Sequence, residues 1–387
     1  MDQTTEHLLL ALAAVIVLGV GAQWLAWRLR IASILLLLLV GFFAGPVSGE
    51  LLGSPIVDPD ALLGDLLLPF VSLAVALILY EGGLTLRFAE LGKDAGVVWR
   101  LVTLGAGLTG VLCGLAAWAV LGLSPPLAVL LGAVLVVTGP TVIVPLLNQI
   151  RPGGRVGAIL RWEGIVIDPV GAMLAVLVFE VIVLGDPQGA AGHVVEGLLR
   201  TLAVGGGFGI AAGLGLAVIL RYFWVPGNLE NAVSLMFVVG VYTVAHAVQP
   251  ESGLLAAVVM GVTLANQRLV DVRHIVEFKE NLRVLLISSL FILLAARLEI
   301  NDLLDIGWGG LLFVVILIVI RPLAVGLSTL GCGLSWKELA FISVMAPRGI
   351  VAAAVASVFA LRLAEQGHEE ASLLVPLTFL TIIGTVL

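Results

Sequence analysis

The sequence predicts an all-α integral membrane protein, from its composition and from the length of its apolar runs. Of its 387 residues, 60% are hydrophobic and only 12% are charged. Soluble domains carry roughly 25% charged residues, so the chain falls outside their range. A helix that crosses the hydrocarbon of a bilayer needs about 20 mostly apolar residues, and such runs follow one another along the whole chain.

Turn residues and charged residues divide these runs into thirteen predicted transmembrane helices. In chain order the predicted spans are 7–27, 31–46, 59–82, 95–122, 125–149, 156–184, 194–222, 229–248, 251–266, 282–299, 304–330, 336–363 and 370–387. The last run reaches Leu387 with no basic anchor after it. We therefore expect the natural protein to continue past Leu387.

The basic residues fall almost entirely on one side of the predicted membrane. Loops after odd-numbered spans hold 15 of the 19 Lys and Arg residues, among them Arg321, and loops after even-numbered spans hold 3. By the positive-inside rule, this predicts a multi-pass protein of the cell (inner) membrane, with its N-terminus outside and its C-terminus in the cytoplasm. The net charge of −7 excludes an ordinary nucleic-acid-binding surface.

Two of the predicted spans contain helix-breaking residues near their middle. Span 5 carries Gly139 and Pro140, and span 12 carries Pro347 and Gly349. A proline removes one backbone hydrogen bond from a helix, and glycine relaxes the backbone beside it. Matched broken helices in two halves of a chain are typical of a transporter site. This predicts two inverted six-helix repeats joined by span 7, although a proline kink without function is the alternative at either position alone.

Span 6 carries two carboxylates at membrane depth, where ionisable groups are costly and mark ion pathways. Asp168 lies at the centre of the span, and Gly164 clears space one turn below it on the same face. Glu163 points about 140° away from Asp168, since a helix has 3.6 residues per turn. Arg348 is the one cation predicted to be buried, so we expect Glu163 to pair with it. Direct ligation of an ion by Glu163 is the alternative.

Glu81 lies near the cytoplasmic end of span 3. It fits an interfacial helix cap as well as a position on the access path of an ion. The chain shows no metalloprotease, serine hydrolase or Walker signature. These observations favour a secondary transporter over an enzyme or an ATP-driven pump.

Several segments resemble the cation:proton antiporter superfamily, in its NhaP and sodium/proton exchanger branch. The segment VVTGPTVIVPLL is similar to the broken fifth helix of that branch, RWEGIVIDPVGA to its acidic sixth helix, MAPRGIVAAAVA to its arginine-bearing broken helix, and LILYEGGL to its third helix. The resemblance covers the whole chain and implies an NhaA/NhaP-like antiporter fold. It also implies a homodimer that is active in a lipid bilayer, often followed by a cytosolic regulatory domain.

The resemblance assigns roles to particular residues and regions. Asp168 matches the aspartate that binds the cation and the proton, and Thr138 matches a threonine that helps to ligate the ion. Glu163 and Arg348 match a pair that joins the two core helices. The implied domains are a scaffold and dimer region at 1–90, a core ion-transport region at 91–184, a connector and scaffold at 185–299, and a second core region at 300–387.

Three positions depart from the pattern of that branch. Gly139 replaces an aspartate, Gly164 replaces a serine, and Ile167 replaces the asparagine before Asp168. A bound cation would then meet fewer protein oxygens than in a typical sodium exchanger. Potassium is therefore an alternative cargo to sodium.

The predicted function is electroneutral exchange of one monovalent cation for one proton by alternating access, serving pH homeostasis. Proton and cation would compete for Asp168, because a bare charged carboxylate at mid-membrane is costly. We expect no cofactor beyond the transported ions. An ion channel is the alternative from another class, but the sequence has no filter loop or pore-lining repeat.

Overall fold

The computed structural model describes residues 3–139, 142–143, 146–147, 150, 152, 155–184, 190–250, 252–270, 273–365, 367 and 369–386. These residues form helices and short connections, and no strand occurs among them. The all-helical class predicted from the sequence is confirmed. The α-helices that are used below are α1 (Gln3–Leu29), α2 (Ser33–Phe42), α3 (Ser48–Leu52), α4 (Pro59–Leu63), α5 (Leu67–Leu84), α6 (Phe88–Leu91), α7 (Ala95–Arg100), α8 (Ala106–Leu121), α9 (Pro125–Val134), α10 (Val156–Leu184), α11 (Ala190–Arg221), α12 (Glu230–Val248), α13 (Ser252–Asn266), α14 (Arg273–Ala296), α15 (Ile300–Asp305), α16 (Gly307–Ser328), α17 (Trp336–Val344), α18 (Ile350–Glu365) and α19 (Leu374–Val386).

Eight helical segments of the described chain are long and apolar enough to cross a membrane. They are Glu6–Leu29, Ser33–Leu52, Pro59–Leu84, Phe88–Leu121, Val156–Val183, Val195–Arg221, Gly227–Val248 and Gly307–Ser328. The remaining predicted spans correspond to the shorter apolar helices Pro125–Val134, Ser252–Asn266, Asn281–Ala296, Ile350–Ala364 and Glu370–Val386. A multi-pass membrane protein is therefore supported, whereas the count of thirteen crossings stays a prediction.

The helices pack into two groups. The first group consists of α1, α2, α5, α11, α12, α13 and α14, and the second consists of α7, α8, α9, α10, α16, α17, α18 and α19. Two helices of the second group, α10 and α18, lie against the first group, where α10 contacts α5, α11 and α13 and α18 contacts α5 and α14. The acidic helix α10 is thus at the centre of the molecule.

Glycines set the close packing of α11 against α13 in the first group. A Cβ atom built on Gly205 would lie 2.8 Å from the carbonyl oxygen of Ser252, and one built on Gly209 would lie 2.7 Å from that of Ala256. Real side chains do not approach a backbone so closely. The absence of side chains on this face lets the two helices touch over several turns.

The helix α16 has one face exposed on the outside of the protein and the opposite face buried inside it. Leu311, Val315 and Ile318 are 50–52% exposed on one face, as expected for side chains that contact lipid. Leu317 and Arg321 are buried on the opposite face, toward the second group. The sidedness count assigned Arg321 to a cytoplasmic loop, although the predicted span 304–330 contains it, and its burial within α16 corrects that assignment.

Candidate functional site

Two interrupted helices meet within the second group. The chain is non-helical from the end of α9 to Gly139, and again at residues 345–349 between α17 and α18. The backbone N–H of Gly139 donates a hydrogen bond to the carbonyl of Pro347, with 2.8 Å between N and O. A Cβ atom built on Gly139 would lie 2.5 Å from the Cα of Gly349. The two backbones therefore touch where the interrupted segments cross.

The structure brings three of the four predicted helix-breaking residues to this crossing. They are Gly139, Pro347 and Gly349, whereas Pro140 lies outside the described residues. Because both facing residues are glycines, a side chain at position 139 could not be accommodated without separating the two segments.

Asp168 lies near the middle of α10 and is completely buried. Neither oxygen of its carboxyl group has a hydrogen-bond partner in the described part of the chain. The next residue, Pro169, lies inside the helix and cannot donate a hydrogen bond to the carbonyl one turn earlier. A buried carboxyl group without a protein partner is stable only when it holds a proton or a cation.

The face of α10 that carries Asp168 packs against the segment leading into the crossing. Gly171 is about one helical turn beyond Asp168 on the same side, and a Cβ atom built on it would lie 3.3 Å from the backbone N of Val137. The following residue, Thr138, is 1% exposed. Its hydroxyl group also lacks a hydrogen-bond partner among the described residues. Unsatisfied oxygens are thus present on two elements that pack together.

Glu163 forms a buried ion pair with Arg321, which corrects the predicted pair with Arg348. The Nη2 atom of Arg321 lies 2.7 Å from Oε1 and 2.9 Å from Oε2 of Glu163. The two residues are 1% and 6% exposed. Direct ligation of an ion by Glu163, the alternative kept open above, would have to displace this contact.

Arg348 instead joins the two interrupted segments to each other. Its Nη1 atom donates to the carbonyl oxygens of Val136, at 3.3 Å, and Val137, at 3.2 Å. Its backbone N–H donates to Oγ1 of Thr385 in α19, at 3.1 Å. The carbonyls just beyond the C-terminus of α9 carry partial negative charge, which favours a cation there. This location at the crossing explains why Arg348 is not the partner of Glu163.

Glu81 lies in α5 and faces α14, another helix of the first group. It is 3% exposed, and its Oε1 atom is 3.1 Å from Nη1 of Arg283 in α14. The neighbouring Tyr80 shares a hydrogen bond with Ser234, at 2.7 Å between the oxygens. Glu81 therefore takes part in a polar cluster between α5, α12 and α14.

Two arginines of these clusters were missed at the sequence level. Arg321 follows the long apolar run that begins at Leu311 and precedes Pro322, so its depth in the span could have been noticed. Arg283 lies among the apolar residues that begin α14's membrane segment. The choice of Arg321 over Arg348 as the partner of Glu163 depends on tertiary packing, which spacing alone does not give.

The family model for the transmembrane region of sodium/hydrogen exchangers matches residues 11–387. Similar proteins include Na(+)/H(+) antiporter 1 of Methanocaldococcus jannaschii, which is 27% identical over 361 residues, covering 89% of this chain and 81% of the relative. The K(+)/H(+) antiporter NhaP of Alkalimonas amylolytica is 28% identical over 348 residues, and this chain spans 58% of its length.

The solved structure of the sodium proton antiporter MjNhaP1 from Methanocaldococcus jannaschii at pH 8 is similar in fold. It superposes with a TM-score of 0.84 and 25% sequence identity, covering 99% of this chain and 96% of that one. The likeness therefore extends over both groups of helices.

Proposed function

Since the chain belongs to the sodium/hydrogen exchanger family, we propose that it is a secondary transporter that exchanges a monovalent cation, sodium first, for protons. The observation that carries this proposal is Asp168, whose buried carboxyl group has both oxygens unpartnered in the described chain. Such a group can hold a proton or a cation but not both at once. Competition for one carboxyl group couples the two fluxes without ATP or a cofactor.

Thr138 is the second proposed ligand of the cation. Its buried hydroxyl oxygen has no hydrogen-bond partner among the described residues and belongs to the segment against which the Asp168 face of α10 packs. Backbone carbonyls freed by the helix interruption and bound waters would complete the coordination of a hard monovalent ion. Glu163, held by Arg321, acts in this proposal as a structural anchor of the site.

Sodium is the first candidate because both the antiporter named above from Methanocaldococcus jannaschii and the similar solved structure are sodium/proton antiporters by name. Potassium is the second candidate. A relative named as a potassium/proton antiporter is comparably similar, and Gly139, Gly164 and Ile167 offer no side-chain oxygen. A larger, more weakly hydrated cation tolerates such a site better than sodium does.

The proposed cycle moves the second group of helices, with Asp168, as a core against the first group as a scaffold. Most of the described ion pairs support this division, although Arg161 of α10 also pairs with Glu90 of the predicted scaffold region 1–90, at 3.3 Å. Within the scaffold, ion pairs join Glu81 to Arg283 and Asp60 to Arg297. Within the core, ion pairs join Glu163 to Arg321 and Arg155 to both Asp94 and Glu338. The core and scaffold can then slide past each other without breaking these pairs.

The remaining features of the proposal are those predicted from the sequence. Thirteen crossings in two inverted repeats would place the N-terminus outside and the C-terminus in the cytoplasm of the cell membrane. A homodimer would form through the scaffold. The role would be pH homeostasis.

Reconstituted protein tests the function directly. Proteoliposomes with an acidic interior are given external sodium, potassium or lithium, and the internal pH is followed with a trapped dye. We expect the interior to become alkaline only when a transported cation is added. A channel would instead pass the cation without requiring proton counterflow.

Matched variants on α10 link the activity to the site. Asp168→Asn, nearly isosteric, should keep the fold and abolish cation-dependent proton flux. Glu180→Gln changes an exposed carboxylate of the same helix and should leave the flux unchanged. Exchange at the wild-type rate by folded Asp168→Asn would contradict the proposed mechanism.

A further inference from the structure

Among the described residues, the core holds four buried side chains of acidic or basic type, whose charges can be counted. Glu163, Asp168, Arg321 and Arg348 are each at most 6% exposed. Glu163 and Arg321 neutralise each other in their ion pair. Arg348 donates to backbone carbonyls, and no carboxylate among the described residues lies within ion-pair distance of it. Its guanidinium is therefore one fixed positive charge without an ionic partner.

The positive charge of Arg348 decides whether the loaded or the empty core is electrically neutral. A guanidinium stays protonated at physiological pH, so Arg348 contributes one positive charge throughout the cycle. When Asp168 holds a proton or a monovalent cation, its own contribution is zero and the core is positive by one charge. When Asp168 is ionised and empty, its charge and that of Arg348 cancel, and the four buried side chains sum to zero.

We propose that Arg348 makes the loaded core, and not the empty one, the form on which the membrane potential acts. This inference rests on the proposed function, because it requires the core to move with its cargo. It differs from the sequence-based charge count, which included Arg321 among the loop residues and expected Glu163 to pair with Arg348.

A complete cycle remains electroneutral under this inference. The proton-loaded core carries the same single charge in one direction as the cation-loaded core carries in the other, so no net current flows. The potential instead biases the orientation of the loaded core. If the charge crossed the whole field, 100 mV would change the ratio of the two orientations about 50-fold.

The other charged groups of the core lie where solvent screens them. Arg155, 33% exposed at its side chain, pairs with Asp94 and Glu338 near helix ends. Water and salt weaken the field that such exposed charges experience. The buried charge of Arg348 therefore dominates the voltage sensitivity.

Voltage steps on a clamped, reconstituted membrane test the inference, with tracer sodium exchange measured on the same preparation. With saturating sodium on both sides at alkaline pH, the core is always loaded. We expect each step to give a transient charge movement and no steady current. Without sodium at the same pH, the core is empty, and we expect the transient to be lost.

Variants separate Arg348 from the other buried charges. Asp168→Asn mimics the protonated carboxyl group, so its transient should no longer depend on sodium. Arg348→Gln should lose the sodium-loaded transient, whereas the double variant Glu163→Gln with Arg321→Gln keeps the same net charge and should retain it. If Arg348→Gln fails to fold, the comparison of loaded and empty wild type still decides.

The possible failures are distinguishable. Tracer exchange without a transient in saturating sodium, or a transient confined to the empty state, would overturn the inference and leave the proposed antiport intact. If no cation supports proton-coupled exchange by the folded wild type, the proposed function itself fails. A steady current driven by voltage alone would overturn the electroneutral cycle.

Discussion

Gly139 and Gly349 face each other backbone to backbone at the crossing of two interrupted helices. A Cβ atom on Gly139 would lie 2.5 Å from the Cα of Gly349, and the N–H of Gly139 is bonded to the carbonyl of Pro347. The same contact that brings the two segments together excludes a side chain at position 139. A carboxylate at position 139 would therefore require the two segments to separate.

Gly139→Ala should abolish cation-dependent proton flux and lower the melting temperature. The added methyl group must separate the two segments, and overpacking of a close contact costs about 1–3 kcal/mol. Gly107→Ala is the matched control, because a Cβ atom there meets no neighbouring atom. The measurements are thermal unfolding in detergent and exchange in proteoliposomes. Normal exchange by Gly139→Ala would show that the crossing is wider in the working protein.

Glu163 and Arg321 should behave as an energetic unit. Removing one partner of a buried ion pair leaves the other charge uncompensated, which costs about 3–5 kcal/mol. We therefore expect Glu163→Gln and Arg321→Gln each to destabilise strongly, and the double variant to be less unstable than their sum.

The matched comparison uses Arg348→Gln in the same cycle with Glu163→Gln. Arg348 donates to carbonyls rather than to Glu163, so its coupling energy with Glu163 should be clearly smaller than that of Arg321. Equal coupling with both arginines, measured by thermal or denaturant unfolding, would contradict the pairing seen here.

The fold class could be predicted because composition and apolar run length report directly on the membrane environment. The interruptions at Gly139 and at residues 345–349 could also be anticipated, since proline and glycine act locally on the backbone. The family resemblance is confirmed by the match over residues 11–387. These features depend on residues that are close together in sequence.

The partner of Glu163 could not be predicted, because it depends on how three helices pack. Two of the described arginines are buried in the core, and spacing along the chain does not say which one reaches the carboxylate. The pairing of Glu81 with Arg283 has the same origin. The count of basic residues assigned Arg321 to a loop, although the predicted span 304–330 and the helix that ends at Ser328 both contain it.

Glu81→Gln should leave the apparent cation affinity within about threefold of wild type. Its carboxylate is held by Arg283 between scaffold helices, so we propose that it supports structure rather than ligates the ion. Thr138→Val is the contrasting variant, since it removes a buried oxygen that has no partner in the described part of the chain and should weaken cation affinity more. Initial rates at varied sodium give both affinities. A much larger loss for Glu81→Gln than for Thr138→Val would return Glu81 to the ion path.

The apparent affinity for the transported cation should improve as the pH rises. Protons and cations compete for the carboxyl group of Asp168. Neither oxygen of this group has a hydrogen-bond partner among the described residues. Where the site is mostly protonated, each unit of falling pH multiplies the proton concentration by ten, and the apparent dissociation constant should rise by about the same factor. At higher pH the proton no longer competes, so the constant should level off. Initial rates of exchange at varied sodium concentration between pH 6 and 9 give this curve, with Glu180→Gln as the control that should reproduce it. An affinity that is flat across the whole range would show that proton and cation do not share one site.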